Sequence, residues 1–199
     1  MQRIALTGGI GTGKTYVVRL FRRRGIPTLD ADQVARAVVD ISQPCYRLLR
    51  DRFEDRYFLP GGQIDRPALA RLVFDDASAR ADLESIVHPE VRRLIDNWFT
   101  RCIDHGRHNL AIAEIPLLFE TNRIQAFDGV LVVSCSPAEQ LHRVMKRDGL
   151  PAEDARKRLA AQLPIADKIS AATWVITTDS TKEPTALQVE RFSKNFQNL

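Results

Sequence analysis

Short apolar runs alternate along the chain with longer segments in which apolar residues recur at helical spacing. The runs are rich in β-branched residues and nearly continuous, which is typical of parallel strands that helices cover on both faces. We therefore predict an α/β fold with a parallel five-stranded sheet flanked by helices. The predicted strands are residues 3–7, 27–30, 110–115, 130–134 and 174–177.

Two connections between these strands are too long for a single crossover helix. The first predicts several helices: one begins near Ala31, one follows Pro44, one is capped by Asp65, and the longest follows Pro89. We predict that residues 36–105 form an inserted helical subdomain. Residues 137–171 form a second helical stretch, and a last helix follows Ser180 or Thr181. The remaining segments, 1–35, 106–136 and 172–199, form the predicted core.

Composition and charge narrow the class of protein. Of the 199 residues, 44% are hydrophobic and 27% are charged, which excludes a disordered chain, and no apolar run approaches the roughly 18 residues of a membrane span. A net charge of +4 is too small to indicate nucleic acid but suits a small polyanionic substrate.

The cysteine pattern bears on the compartment. Cys45, Cys102 and Cys135 have neither metal-ligand nor disulfide spacing, and no signal-peptide pattern precedes the first strand. We expect a cytoplasmic protein that binds neither membrane nor nucleic acid. The sequence leaves the oligomeric state open, with a monomer slightly favoured.

The first predicted strand ends in a motif that binds phosphate. Residues 8–15 read Gly-Gly-Ile-Gly-Thr-Gly-Lys-Thr and fit the P-loop pattern G-x-x-x-x-G-K-[ST]. The glycines let backbone amides turn inward around phosphate oxygens, and the next helix points its N-terminus at the same anion. Lys14 can reach the β- and γ-phosphates, and the Thr15 hydroxyl can bind Mg²⁺. The predicted ATP-binding residues are Gly11, Thr12, Gly13, Lys14, Thr15 and Tyr16.

A pair of carboxylates follows the second predicted strand. Asp30 and Asp32 lie at the carboxyl edge of the sheet, where ligands of such folds bind. A carboxylate there can accept the proton of an attacking hydroxyl, or contact Mg²⁺ through water. The alternative is that both residues merely cap the next helix. Glu114, near the end of the third strand, is likewise open between a metal ligand and a structural carboxylate.

Five stretches of the sequence, taken together, indicate a more specific function than the P-loop alone. They are residues 6–15, Leu-Asp-Ala-Asp at 29–32, His-Pro at 88–89, Ile-Pro-Leu-Leu-Phe-Glu at 115–120, and Arg-Asp-Gly-Leu at 147–150 with Arg158 and Gln162 beyond. In these, over nearly its whole length, the chain resembles the dephospho-CoA kinase family. The resemblance implies a P-loop kinase fold with a helical insert and a lid. It also implies ATP-dependent phosphorylation of the ribose 3′-hydroxyl of dephospho-CoA, the last step of coenzyme A biosynthesis.

The resemblance also implies roles for single residues. Asp32 would be the base beside the 3′-hydroxyl, and Asp30 would hold the turn or the water shell of the metal. The insert would form the acceptor pocket, and residues 137–171 would close over ATP as a lid. The residues expected at the acceptor are His88, Pro89, Leu117, Leu118, Phe119 and Glu120, with Arg92 or Arg93 as phosphate contacts.

The basic lid stretch supplies the predicted phosphate clamp. Arg143 and Arg147 are four residues apart and share one helix face, so both could neutralise the migrating phosphoryl group. The alternative is a solvated helical face.

Two departures from the family pattern stand out. Residues 172–179 lack the Asn that usually follows the last strand, so the sequence does not identify the adenine contact. Tyr16 replaces a small hydroxyl residue, although its backbone amide is retained.

Rival functions are a P-loop kinase for another small molecule (a nucleoside, nucleotide or sugar acid) and a nucleotide-dependent switch. A switch of the GTPase kind would need an Asn-Lys-x-Asp motif, which this sequence lacks.

Overall fold

A computed structural model describes residues 1–104 and 109–196 of the chain. Its sheet has five strands, all parallel, in the order β2-β3-β1-β4-β5. The strands are β1 (Gln2–Gly8), β2 (Thr28–Asp30), β3 (Leu110–Glu114), β4 (Gly129–Ser134) and β5 (Trp174–Thr177). The predicted parallel five-stranded α/β fold is confirmed.

The helices of the described residues complete the fold. They are α1 (Lys14–Arg23), α2 (Ala31–Ala37), α3 (Pro44–Arg52), α4 (Arg66–Asp75), α5 (Ala77–Asp104), α6 (Pro137–Asp148), α7 (Ala152–Ala160), α8 (Ile165–Ser170) and α9 (Lys182–Lys194). No helix within the described ranges has the length and apolar character needed to cross a membrane.

The main core lies between the sheet and helices α1 and α9. β1 is the central strand, and Ile4 and Leu6 on it are fully buried. Phe192 of α9 meets Phe21 of α1 and Trp174 of β5 edge to face, at centroid distances of 5.6 and 5.4 Å. Aromatic contacts of this geometry stabilise a core beyond the burial of their surface. These contacts join α1, α9 and the edge strand β5 in one core.

The chain divides into two compact units. One consists of Met1–Asp30 and the chain from Phe99 onward, and contains the sheet. The other, Ala31–Trp98, is helical, with its own buried residues such as Leu49 of α3 and Ile95 of α5. The finer division into an insert at 36–105 and a lid at 137–171 stays a prediction, and residues 105–108 and 197–199 lie outside the described residues.

The longest helix differs from the prediction. We expected it to begin after Pro89, but α5 begins at Ala77 and Pro89 lies inside it. The carboxylate of Asp76 accepts bonds from the amides of Ser78 (2.8 Å) and Ala79 (3.1 Å), which starts the helix early. A proline inside a helix costs one backbone hydrogen bond. Packing of the buried face offsets that cost, because burial at helical spacing continues past the proline through Val91, Ile95 and Phe99.

Candidate active site at the P-loop

The residues of the P-loop motif curl between a strand and a helix. β1 ends at Gly8 and α1 begins at Lys14. Gly11 and Gly13 have φ angles of +78° and +86°, which side chains with a Cβ rarely adopt. Gly11, Gly13 and Lys14 are half-buried and Thr15 is exposed, so this part of the loop reaches the protein surface. The loop thus has the shape, and the helix N-terminus the polarity, that binding an anion requires.

The lysine of the motif spans the loop. Its Nζ donates to the carbonyl oxygens of Gly8 (3.1 Å) and Gly9 (2.9 Å). A flexible ammonium held by neutral carbonyls can exchange them for the stronger acceptors of a phosphate. Tyr16 uses its amide within the helix, donating to Gly13 O at 3.0 Å. Its hydroxyl donates to the carbonyl of Lys182 (3.2 Å), which ties α1 to the start of α9.

The side chain of Thr12 faces inward. It is fully buried, and its hydroxyl donates to Gly9 O at 2.9 Å. Thr178, which follows β5, donates its hydroxyl to the carbonyl of Thr12 at 2.8 Å. The segment where the family usually has Asn therefore carries a threonine that fixes the P-loop backbone.

Arg143 of α6 touches the same segment. Its Nη1 donates to Thr178 Oγ1 (2.8 Å) and to Gly11 O (3.4 Å), and its Nη2 donates to Thr178 O (2.5 Å). Its Nε donates to Glu139 at 2.7 Å. These contacts place Arg143 at the P-loop with its donors on protein groups, and a phosphate contact stays a prediction for it.

Arg147 lies one turn further along α6 and contacts a carboxylate instead. It donates to both oxygens of Asp148, at 2.7 and 2.9 Å, and Arg158 donates to the same carboxylate at 2.9 Å. The hydrogen bonds from Arg147 and the positive charge of Arg158 lower the pKa of Asp148. The predicted role of Arg147 on phosphate also stays a prediction.

Carboxylates line up across the sheet beside the P-loop strand. In the strand register, Glu114 of β3 pairs with Leu6 of β1 on one side and with Asp30 of β2 on the other. Asp32 follows in the first turn of α2, is exposed, and belongs to the helical unit. In the described parts of the chain no three His, Cys, Asp or Glu residues cluster as a metal site.

The Ile-Pro-Leu-Leu-Phe-Glu motif follows β3. Leu118 is fully buried, whereas Leu117 is 47% exposed. Glu120 accepts from Lys168 Nζ (2.7 Å) and from the amide of Leu163 (3.3 Å). Burial raises the pKa of Glu120, but the hydrogen bonds and charge of Lys168 and the backbone bonds outweigh it, so the pKa is lowered. Lys168 of α8 is fully buried, which makes Glu120 its necessary counter-charge. We expected Glu120 at the acceptor; the structure gives it contacts with Lys168 of α8 and with Leu163, which precedes that helix.

The helical unit contains an apolar cavity of about 330 Å³. Three residues with polar side chains line it: Arg66, Glu84 and His88. Its apolar lining includes Val39, Leu49, Ile64, Leu69, Val73 and Val87. His88 is thus on the cavity side of α5, whereas Pro89 is exposed. Arg93 pairs with Glu90 at 2.8 and 2.6 Å.

Several residues at the P-loop had no role in the sequence prediction. Gln140 and Gln162 bind the backbone of Ile10, and Thr178 binds Thr12. Gln162 was visible as part of the family pattern, and Thr178 as a departure from it. Gln140 carried no signal, because a glutamine in an amphipathic helix resembles any surface residue.

Comparisons with known proteins agree with this geometry. A family model described as dephospho-CoA kinase matches residues 2–183. The dephospho-CoA kinase of Hydrogenovibrio crunogenus is 39% identical over 199 residues, covering 100% of both chains. A crystal structure from Thermus thermophilus aligns with a TM-score of 0.81 at 36% identity and covers 98% of each chain.

A second solved structure bears on the fold. The dephospho-CoA kinase from Campylobacter jejuni aligns with a TM-score of 0.73 at 24% identity, covering 99% of this chain and 98% of its own. The family match covers nearly the whole chain and agrees with the P-loop that follows β1 and with the carboxylates beside it. This chain belongs to the dephospho-CoA kinase family, whose members are phosphotransferases of coenzyme A biosynthesis.

Proposed function

We propose that this protein transfers the γ-phosphoryl group of ATP to the ribose 3′-hydroxyl of dephospho-CoA. The observation that carries the proposal is the conformation of residues 8–15. Three glycines at positive φ (Gly8, Gly11 and Gly13) and a helix starting at Lys14 leave backbone amides able to surround a phosphate. A stretched or fully buried segment could not do this.

The phosphate end of ATP would meet Lys14 and the amides of Gly11, Thr12 and Gly13. Lys14 would exchange the carbonyls of Gly8 and Gly9 for oxygens of the β- and γ-phosphates. The exposed Thr15 hydroxyl would hold Mg²⁺, which would supply positive charge to the phosphates. In kinases Mg²⁺ takes few protein ligands and keeps water and phosphate oxygens. A site with one protein ligand, the Thr15 hydroxyl, would fit that pattern.

The acceptor end requires a base. As the 3′-oxygen forms its bond to the γ-phosphorus, the bond from that phosphorus to the bridging β-phosphate oxygen breaks, and ADP leaves. Asp32 would take the proton released by the hydroxyl. Asp30 and Glu114, paired in register at the strand ends, would hold the water shell of the metal. Arg143 and Arg147 are the predicted cationic partners of the migrating group.

The helical unit would supply specificity for the acceptor. Its cavity is apolar with a few polar groups, which is the usual make-up of a small-molecule pocket. It suits the pantetheine arm of dephospho-CoA, with His88 as the polar contact and the motif residues Leu117 and Phe119 along the acceptor. The three cysteines are free thiols, in keeping with our assignment to the reducing cytoplasm.

Steady-state turnover with a panel of acceptors tests the proposal. The purified protein is given MgATP with dephospho-CoA, or with nucleosides, nucleotides or sugar acids, and ADP release and the phosphorylated product are measured. We expect kcat/KM to be highest for dephospho-CoA, with product phosphate on the 3′-oxygen by ³¹P NMR. Turnover of another acceptor and none of dephospho-CoA would overturn the proposal, as would nucleotide hydrolysis with no acceptor phosphorylated.

A further inference from the structure

Two glutamine side chains bind the backbone of Ile10 in the P-loop. The amide of Ile10 donates to Gln162 Oε1 at 2.9 Å. The Nε2 of Gln140 donates to the carbonyl oxygen of Ile10 at 2.7 Å. Both backbone hydrogen-bonding groups of this one residue are therefore satisfied by side chains distant in sequence.

Both glutamines are themselves well anchored. Gln140 lies in α6 and is 8% exposed. A Cβ on residue 9 would lie 2.3 Å from its Nε2, so Gly9 is what lets this side chain reach the loop. Gln162 lies between α7 and α8, and the next residue, Leu163, donates its amide to Glu120. The peptide groups of Ile10 are thus bonded to two separate segments, α6 and the α7–α8 connection.

The two glutamines act with opposite polarity. Gln162 serves as an acceptor, because its partner is an N–H group. Gln140 serves as a donor, because its partner is a carbonyl. A carboxylate can accept but cannot donate, so glutamate can replace the first side chain and cannot replace the second.

We propose that Gln140 and Gln162 are positioning residues that hold the P-loop in its phosphate-binding conformation before nucleotide arrives. This inference rests on the proposed function, in which the loop binds the phosphates of a nucleotide. Preorganised amides bind an anion without first having to be ordered. Loss of either glutamine frees the peptide groups of Ile10, and the loop must then be ordered at the expense of nucleotide affinity.

Calorimetric titration with MgADP tests the polarity directly. Gln162→Leu and Gln140→Leu should each weaken the affinity about tenfold, the effect of losing one buried hydrogen bond. Gln162→Glu keeps the acceptor and should lose less affinity than Gln140→Glu, which carries the same added charge; about 1 M salt weakens the repulsion that both variants share. Gln140→Glu should lose at least as much as Gln140→Leu. In turnover, KM for ATP should rise while KM for dephospho-CoA stays constant.

Gln188→Leu is the matched control. Gln188 also bonds both backbone groups of one residue, Thr177, through Oε1 (2.9 Å) and Nε2 (3.0 Å). The Gln188→Leu variant should have a lower melting temperature than wild type and an unchanged affinity for MgADP. Equal losses in all the leucine variants, or equal losses in the two glutamate variants, would overturn the inference. A wild-type protein that binds no MgADP would instead overturn the proposed function itself.

Discussion

The P-loop and the cavity of the helical unit present two ways of making a binding site. The P-loop presents backbone groups, and four side chains distant in sequence bond to the main chain of its residues 10–12: Gln140, Arg143, Gln162 and Thr178. The cavity is formed by side chains from several helices, mostly aliphatic, with Arg66, Glu84 and His88 among them. The first site has a local sequence signature and the second has none.

This difference separates two kinds of recognition. A site of amides binds whatever carries phosphates, so it gives the reaction class but little selectivity. A site of packed side chains selects by shape, and each residue in it contributes modestly. Variants in the two regions should therefore differ both in the size of their effect and in the substrate whose KM changes.

The largest effect is expected at Lys14. Lys14→Met removes the cation that spans the P-loop, and kcat/KM for ATP should fall about 10³-fold. MgADP affinity, measured by calorimetry, should fall as well. Lys182→Met, a neutralisation at the start of α9, controls for the loss of one positive charge. Near wild-type turnover in Lys14→Met would refute the assignment of residues 8–15 as a phosphate-binding loop. The contrast between the P-loop and the cavity would then no longer hold.

Next in size is the effect of the charge pair between Glu120 and Lys168. Glu120→Gln leaves the fully buried Lys168 without its counter-charge and should lower the free energy of unfolding by about 3 kcal/mol. Urea unfolding measures this. The double variant Glu120→Gln/Lys168→Met removes both charges and should recover part of the loss. Identical losses in Glu120→Gln and in the double variant would show that an unpaired buried ammonium is not the cause of the loss.

The pair of Glu120 and Lys168 should also make the stability of the fold depend on pH. The pKa of Glu120 is lowered in the folded state, so its contribution is complete above the unfolded value of about 4.3. It is lost as the pH falls through the lower, folded pKa. Glu120→Gln should therefore lose less stability than wild type on acidification.

Asp32 should affect chemistry and leave the phosphate cradle intact. Asp32→Asn removes a proton acceptor, and kcat should fall about 10²-fold while KM for ATP changes little. Stopped-flow measurement of a single turnover shows whether the chemical step is slowed. Asp30→Asn is the neighbouring control and should have the smaller effect. A parallel loss of MgATP affinity in Asp32→Asn would assign Asp32 to the metal.

The smallest effect is expected in the cavity of the helical unit. His88→Ala removes one polar contact among many apolar ones and should raise KM for dephospho-CoA about tenfold or less. KM for ATP should stay constant. Ser85→Ala, at an exposed position of α5, serves as its control. If His88→Ala changed KM for ATP instead, the assignment of the cavity to the acceptor would fail.

The sequence predicted the sheet well because buried parallel strands leave a strong local signal. All five strands appear within two residues of the predicted ends. The start of α5 was missed because Pro89 normally marks a boundary, whereas the cap at Asp76 and the buried face outweigh it here. Contacts such as Lys168 with Glu120, or Gln140 with Ile10, join residues far apart in sequence. No spacing rule reports such pairs, because tertiary packing creates them.

The two tryptophans can serve as intrinsic fluorescence probes of the two compact units. Trp174 lies in β5 beside Phe192 and Phe196, and Trp98 is the last residue of the helical unit. The chain contains two tryptophans, so replacing either with phenylalanine leaves a protein with a single indole emitter. Fluorescence during denaturation would then follow one unit at a time and reveal whether the sheet and the helical unit melt together or in sequence.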